Sequence, residues 1–196
     1  MTKAKPNTTK ETIFNTAGRL FSQRGYFVVS MQDIADELSI TKAALYYHFK
    51  SKEALTEELL RGTVDELKQE LKHACEIGRL PSGKMFNIVK TFLDFKNRHP
   101  ELSFLVSLGF TSDEKMSVVK FIQDLRIELI KFMRELIGGI DFVRRITYKG
   151  LFLLATSFLG LVLSQFQDTN NKDVAKDFTG LFLSETGEKG KGKITA

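Results

Sequence analysis

The chain has one cysteine, three prolines and no tryptophan in 196 residues. A single thiol excludes an internal disulfide and any cysteine-built metal centre, and it fits a reducing cytosol. That thiol, Cys75, falls in a helical pattern with Leu71 and Ala74, and reads as a small packed group rather than a redox centre. His73 and His99 are isolated from each other and from Cys75, so solvated or capping roles outweigh metal ligation. The sequence has no Ser/His/Asp grouping, no paired metal ligands and no Gly-rich phosphate loop. An enzyme is therefore the least favoured class, and no cofactor is called for. Strand-like alternation of apolar and polar residues is missing, as is any internal repeat. The most apolar run, Leu151 to Leu163, falls short of the ~20 residues that a membrane span needs. It contains Thr156 and Ser157, follows Arg144, Arg145 and Lys149, and reads as a buried helix. The opening Met-Thr-Lys-Ala-Lys-Pro has no apolar core of a signal peptide. These absences leave an all-α, cytoplasmic, globular protein with no membrane partner.

What is present is uneven. Hydrophobic residues make up 42% and charged residues 27%, the balance of an ordinary folded domain. Residues 1 to 52 hold eight basic side chains against four acidic ones, a surplus of four. The whole chain, with 29 basic and 24 acidic residues, carries a surplus of only five. Nearly all the excess positive charge thus lies at the N-terminal end, as a phosphate-facing surface requires.

That end also carries the most informative pattern. From Ser30 to Phe49 the sequence reads as two short helices joined by a tight turn. Ser30 can cap the first, and Ile34, Ala35 and Leu38 recur at helical spacing as its buried stripe. Thr41 can cap the second, with Leu45 and Phe49 pointing back into the same small core. Lys42, Ala43, Tyr46 and Tyr47 are left facing outward, the layout of a helix-turn-helix whose second helix enters a major groove. Lys42, Ala43 and Tyr46 are the candidates to reach base edges, with Gln32 from the preceding helix. Gln can bond adenine at two points, Lys can bond guanine, and the Ala methyl can meet a thymine methyl. Ser30, Thr41, Tyr47, His48 and Lys52 are candidate phosphate contacts, since hydroxyls, amines and helix N-termini supply these. The competing reading packs Tyr46 and Tyr47 against the first helix and makes His48 a helix-terminal cap.

The run Leu45-Tyr-Tyr-His-Phe49, followed by Ser51-Lys-Glu-Ala-Leu55, resembles the hallmark of the TetR family of transcriptional regulators. Asp33-Ile-Ala35 fits the same pattern, as does Ala17-Gly-Arg-Leu-Phe-Ser-Gln-Arg-Gly25 with Tyr26 upstream. The resemblance covers roughly residues 8 to 60. One departure is Ser39, in a turn where many members have Gly; a left-handed conformation there would cost a non-Gly residue. The resemblance implies an N-terminal three-helix DNA-binding domain followed by a helical bundle that binds a small effector and dimerises. A single three-helix reader covers few base pairs, so the expected partner is a palindromic operator in double-stranded DNA, held by a homodimer.

Along the rest of the chain, residues 1 to 7 read as a basic arm, and Thr8-x-x-Glu11 has capping-box spacing. Ile13, Phe14, Ala17, Leu20 and Phe21 form the face of a first helix ending at Gly25. Ser51 can cap a long helix running through Leu55, Leu59, Leu67 and Leu71 toward Gly78, with Pro81-Ser-Gly83 read as a break. Further helical runs extend from Phe86 to His99-Pro100, over Leu102 to Phe110, from Val118 to Gly138-Gly139, from Asp141 to Phe166, and from Lys172 onward. The Gly/Lys-rich end reads as disordered. The resulting divisions are 1–52, DNA-binding; 53–185, effector-binding and dimerisation; and 186–196, a tail. Most of the phenylalanines follow residue 84 and read first as core; bulky rings can also leave apolar gaps between helices. Candidates to line a pocket for a small apolar effector are Thr91, Phe92, Phe95, Phe104, Leu105, Ser107, Phe121, Phe152 and Thr156. Candidates for the dimer seam are Leu151, Leu154, Ala155, Phe158, Leu161 and Val162, which could instead be the centre of a monomer's core. The leading expectation is a repressor released from its operator by that effector. The alternative is a ligand-independent DNA-binding protein of the same fold, such as a nucleoid or division factor.

Overall fold

A computed structural model describes residues 10–102, 117–140 and 170–185. Among the described residues every regular element is an α-helix: α1 Lys10–Arg24, α2 Met31–Glu37, α3 Lys42–His48, α4 Lys52–Ile77, α5 Pro81–Arg98, α6 Ser117–Gly138 and α7 Asn171–Glu185. No helix among them is long and apolar enough to cross a membrane. The Thr8 cap, the Leu102 to Phe110 run beyond Leu102, the Asp141 to Phe166 helix and the 186–196 tail lie outside the described residues.

By internal contacts the chain divides into two units. The first is Met1–Thr63 with His99–Asp124, and the second is Val64–Arg98 with Leu125–Ala196. In the first, Ile13, Ala17, Leu20 and Phe21 of α1 are buried with Ile34, Ala35, Leu45, Phe49, Leu55 and Leu60. This is the stripe that helical periodicity predicts, except that Phe14 and Leu38 are only half-buried. Gly25 ends α1 at φ +86, a conformation open to glycine at little cost, with its N–H on the Phe21 carbonyl. Glu101 is buried in this unit. Its Oε1 accepts from Thr63 Oγ at 3.1 Å and lies 2.9 Å from His99 Nδ1. Its other oxygen faces Gly18 of α1, where an added Cβ would come within 3.2 Å.

In the second unit α5 packs along α7, and Asn171 Nδ2 donates to Asp94 Oδ1 at 2.8 Å. Val64, Leu67, Leu71, Ile88, Val89, Phe92, Phe95, Leu125, Leu129 and Met133 are buried, and Lys68 pairs with Glu128. Cys75 is half-buried, and burial pushes its thiol pKa up. That leaves it less thiolate character, as the packed-thiol reading expects.

One element differs from the sequence reading. Pro81-Ser-Gly83 is the first turn of α5 rather than a break. Proline's missing N–H costs nothing at the first helical position, where that group has no intrahelical partner. The corner before it depends on Gly78, since a Cβ there would lie 2.6 Å from the Lys84 backbone nitrogen and 2.7 Å from its Cα.

Two glycines of this region therefore have opposite sensitivities. Gly62, exposed in α4, has nothing within 4 Å of an added Cβ. Gly62→Ala should raise stability by about 1 kcal/mol through helix propensity. Gly78→Ala meets backbone that cannot yield and should cost about 1–3 kcal/mol. Thermal melts of the two variants should move in opposite directions.

Candidate nucleic-acid interface

Each short helix in the first unit is fixed at its start by a side chain. Ser30 caps α2 in an extended conformation: its Oγ accepts from the Asp33 N–H at 3.2 Å, and the Asp33 carboxylate accepts from the Ser30 N–H at 2.7 Å. Hydrogen bonds from Ser30 hold the Asp33 carboxyl below the ordinary carboxylate range. This reciprocal box satisfies two otherwise orphaned donors. Thr41 caps α3 by accepting from the Ala44 N–H at 3.1 Å, and Ser51 accepts from the Ala54 N–H at 3.1 Å at the head of α4.

Between α2 and α3 the chain turns through Ser39 at φ +53. The Ser39 N–H bonds the Asp36 carbonyl and the Ile40 N–H bonds the Ala35 carbonyl, both at 3.0 Å. This is the paired closure of a Schellman motif, built with serine in the left-handed position that glycine usually takes.

The second helix is anchored on one side and open on the other. Leu45 and Phe49 are buried, and the Phe49 ring meets Phe14 of α1 at 5.4 Å with the Lys10 ammonium 5.3 Å from its centre. Lys42, Ala43, Tyr46 and Tyr47 are exposed, Tyr47 at 87% and Tyr46 at 43%. The Lys42 ammonium sits 5.8 Å from the centre of the Tyr46 ring. Such exposure sets aside burial of Tyr47 against α1. His48 is half-buried with its ring edge-on to Tyr47 at 5.5 Å. On α2, Gln32 is exposed and donates from Nε2 to Asp36 Oδ1 at 2.7 Å, leaving its Oε1 and one N–H for a base edge.

Lys52 departs from a simple phosphate-facing position. Its ammonium donates to the Tyr26 carbonyl at 2.8 Å and the Val29 carbonyl at 2.9 Å, and lies 4.1 Å from the centre of the Tyr26 ring. Burial lowers its pKa. Beside it, Phe27 and Val28 are 54% and 73% exposed. Sequence reasoning did not mark them, since apolar identity alone carries no signal for exposure.

Of the residues predicted to line a pocket, Phe92 and Phe95 are buried in the second unit and Thr91 is half-buried there. Phe121, in the first unit, stacks under the Arg61 guanidinium at 5.2 Å. Phe104, Leu105, Ser107, Phe152 and Thr156 lie outside the described residues, as do all six dimer-seam candidates, Leu151, Leu154, Ala155, Phe158, Leu161 and Val162.

The profile of bacterial regulatory proteins of the tetR family matches residues 13–59, the whole of the capped and anchored segment just described. The chain belongs to the TetR family. It is 29% identical over 102 residues to the HTH-type transcriptional repressor KstR2 of Mycolicibacterium smegmatis, covering 52% of this chain and 50% of the relative. It is 30% identical over 124 residues to IcaR of Staphylococcus aureus, a negative transcriptional regulator of a biofilm operon, covering 62% and 66%. The chain thus spans about half the length of the first of these relatives. Its fold is similar to that of AibR, crystallised with isovaleryl coenzyme A and operator DNA, with TM-score 0.68 and 23% identity over 88% of this chain and 96% of that one. The TetR helix-turn-helix here differs from the usual pattern in the residue at the left-handed turn. Ser39→Gly should relieve that conformation and stabilise the protein by roughly 0.5–1 kcal/mol, the steric cost less the entropy glycine adds to the unfolded chain. A chemical-denaturation midpoint unchanged or lowered would mean the serine side chain has a compensating partner.

Proposed function

We propose that this protein is a homodimeric transcriptional repressor that holds a palindromic operator and is released from it by a small, largely apolar effector. The observation that carries this reading is the two-sidedness of α3. Leu45 is fully buried while Lys42, Ala43, Tyr46 and Tyr47 are exposed beside it. A seven-residue helix held this way presents a rigid row of donors, a methyl group and rings, the set that major-groove edges accept. Lys42, Ala43 and Tyr46, with Gln32 of α2, are assigned to bases. Ser30, Thr41, Tyr47 and His48 are assigned to phosphates, where they fix register. The names of KstR2 and IcaR support repression, and AibR's complex with an acyl thioester and operator DNA supports control by a small effector.

Two recognition helices must stand about 34 Å apart to enter successive major grooves on one face of B-DNA. Helix α4 begins beside Phe49 and runs unbroken to Ile77, contributing residues to both units. An effector bound among the helices after residue 84 that shifts α4 would change the spacing of the two readers. Effector and DNA would then favour different states, and each must weaken the other's binding by the same factor.

Duplexes selected by the protein from a random pool supply the operator for the tests. Lys42→Ala and Tyr46→Ala should each weaken binding to the selected duplex by ~1–3 kcal/mol while changing random-duplex binding much less. Equal losses on both DNAs for Tyr46→Ala would assign it to the phosphate set instead.

The dimer is tested separately. Leu154→Glu or Phe158→Glu would set an unpaired charge in the proposed seam, where burying it is costly. Sedimentation should show a folded monomer without tight operator binding. A folded variant that still sediments as a dimer would place the seam elsewhere.

A further inference from the structure

Lys52 stands at the head of α4, where a basic side chain reads as one more phosphate contact, yet its ammonium is turned into the protein. Two of its three N–H groups are taken by the carbonyls of Tyr26 and Val29, at 2.8 and 2.9 Å. The Tyr26 ring lies 4.1 Å below it, the range in which a cation is attracted to an aromatic face. The two carbonyls bracket the loop from α1 to α2, whose intervening side chains Phe27 and Val28 are exposed, Phe27 keeping only an edge-on contact with the Tyr26 ring at 5.4 Å. Tyr26 is held from the other side: its ring is buried against Phe21 at 5.5 Å, and its hydroxyl reaches Glu53 Oε1 at 3.4 Å. Val29 immediately precedes Ser30, the cap of α2. One ammonium group thus ties both ends of the loop that leads to that cap, and to Gln32 behind it, to the start of α4.

Building on the DNA-binding reading above, we propose that Lys52 is a positioning residue for sequence recognition, a strut that sets α2 against α4, rather than a phosphate contact. Charge-assisted hydrogen bonds to two carbonyls are stronger and better directed than neutral ones. An unsupported loop would let α2 shift, and a misplaced α2 loses the base contacts of Gln32 and at most the one phosphate of Ser30, while the phosphate contacts of Thr41, Tyr47 and His48 persist. The strut thus bears on the ratio of specific to random binding. A phosphate contact would weaken both DNAs alike and flatten the salt dependence by about one unit of slope per contact.

The experiment compares wild type, Lys52→Met and Lys52→Gln on the selected duplex and on random duplex, at several salt concentrations and well below each melting temperature. Methionine keeps the chain's length without donor or charge; glutamine keeps an N–H donor without charge. The Met variant should lose about tenfold on the selected duplex and far less on random DNA, with its salt slope unchanged, and the Gln variant should recover part of the loss. Equal losses for Met and Gln on both DNAs with a flattened slope would overturn the strut in favour of a phosphate contact. Wild-type affinity in both variants would overturn it as well. If no duplex is selected by the wild-type protein, the DNA-binding reading has failed rather than this one.

A measurement on the wild-type protein covers the case in which a variant does not fold. Acetylation of lysines, read by mass spectrometry, should label Lys52 slowly in the free protein compared with the exposed Lys42 and Lys50. Adding the selected duplex should leave Lys52 unchanged. Fast labelling in free protein that DNA suppresses would overturn the proposal.

Discussion

Seven residues make about two turns of α-helix, far too few to persist alone in water. Both α2 and α3 are of that length, and the surface proposed to read DNA is built on them. Everything around them serves to make two unstable pieces rigid. Their first turns are closed by Ser30 and Thr41, and their undersides are fixed by Ile34, Ala35, Leu45 and Phe49. The turn between them is locked by two backbone hydrogen bonds across Ser39. Lys42, Ala43, Tyr46 and Tyr47, exposed beside these anchors, take no part in the caps or the buried underside, so their identities can be chosen for recognition.

Helices α1 and α4 supply the outer frame. Lys10 pairs with Glu58 and lies over Phe49, tying the start of α1 to α4 and to the end of α3. Arg19 pairs with Glu37 across to α2. These two pairs are half exposed and contribute little energy each; their value is in orientation. Lys52 differs because its partners are carbonyls and a ring, all partly shielded from water. The positive surplus of the first 52 residues is thus partly employed inside the protein. The groups available to phosphates are fewer than a count of basic residues suggests.

Local features were the ones legible in the sequence. A cap acts over three residues and a buried stripe over four, so Ser30, Thr41, Ser51, Leu45 and Phe49 could each be placed from their near neighbours. The left-handed Ser39 was marked only by the family resemblance, as a departure from glycine. Pro81 was misread because proline stops a helix in its interior but is welcome in its first turn, and composition does not distinguish the two. The intramolecular partners of Lys52 were not legible, because they lie 23 and 26 residues away and are backbone atoms, which no pattern of side chains announces. The predicted pocket residues divide similarly: Phe92 and Phe95 sit in one unit and Phe121 in the other, a partition that aromatic content along the chain does not reveal.

The seat of Glu101 bears on how members of this family can be recombined. Its carboxylate is received by Thr63 at the edge of the first unit and lies over Gly18, the residue of α1 that leaves room for it. A chimaera that joins this N-terminal segment to another member's C-terminal part at residue 63 would leave behind the residues from His99 that complete the same unit. Thr63 would be left with the Leu59 carbonyl of its own helix as acceptor, and the notch at Gly18 would lose the carboxylate that fills it. The portable piece of this protein is discontinuous, and a graft that respects it carries both stretches of chain.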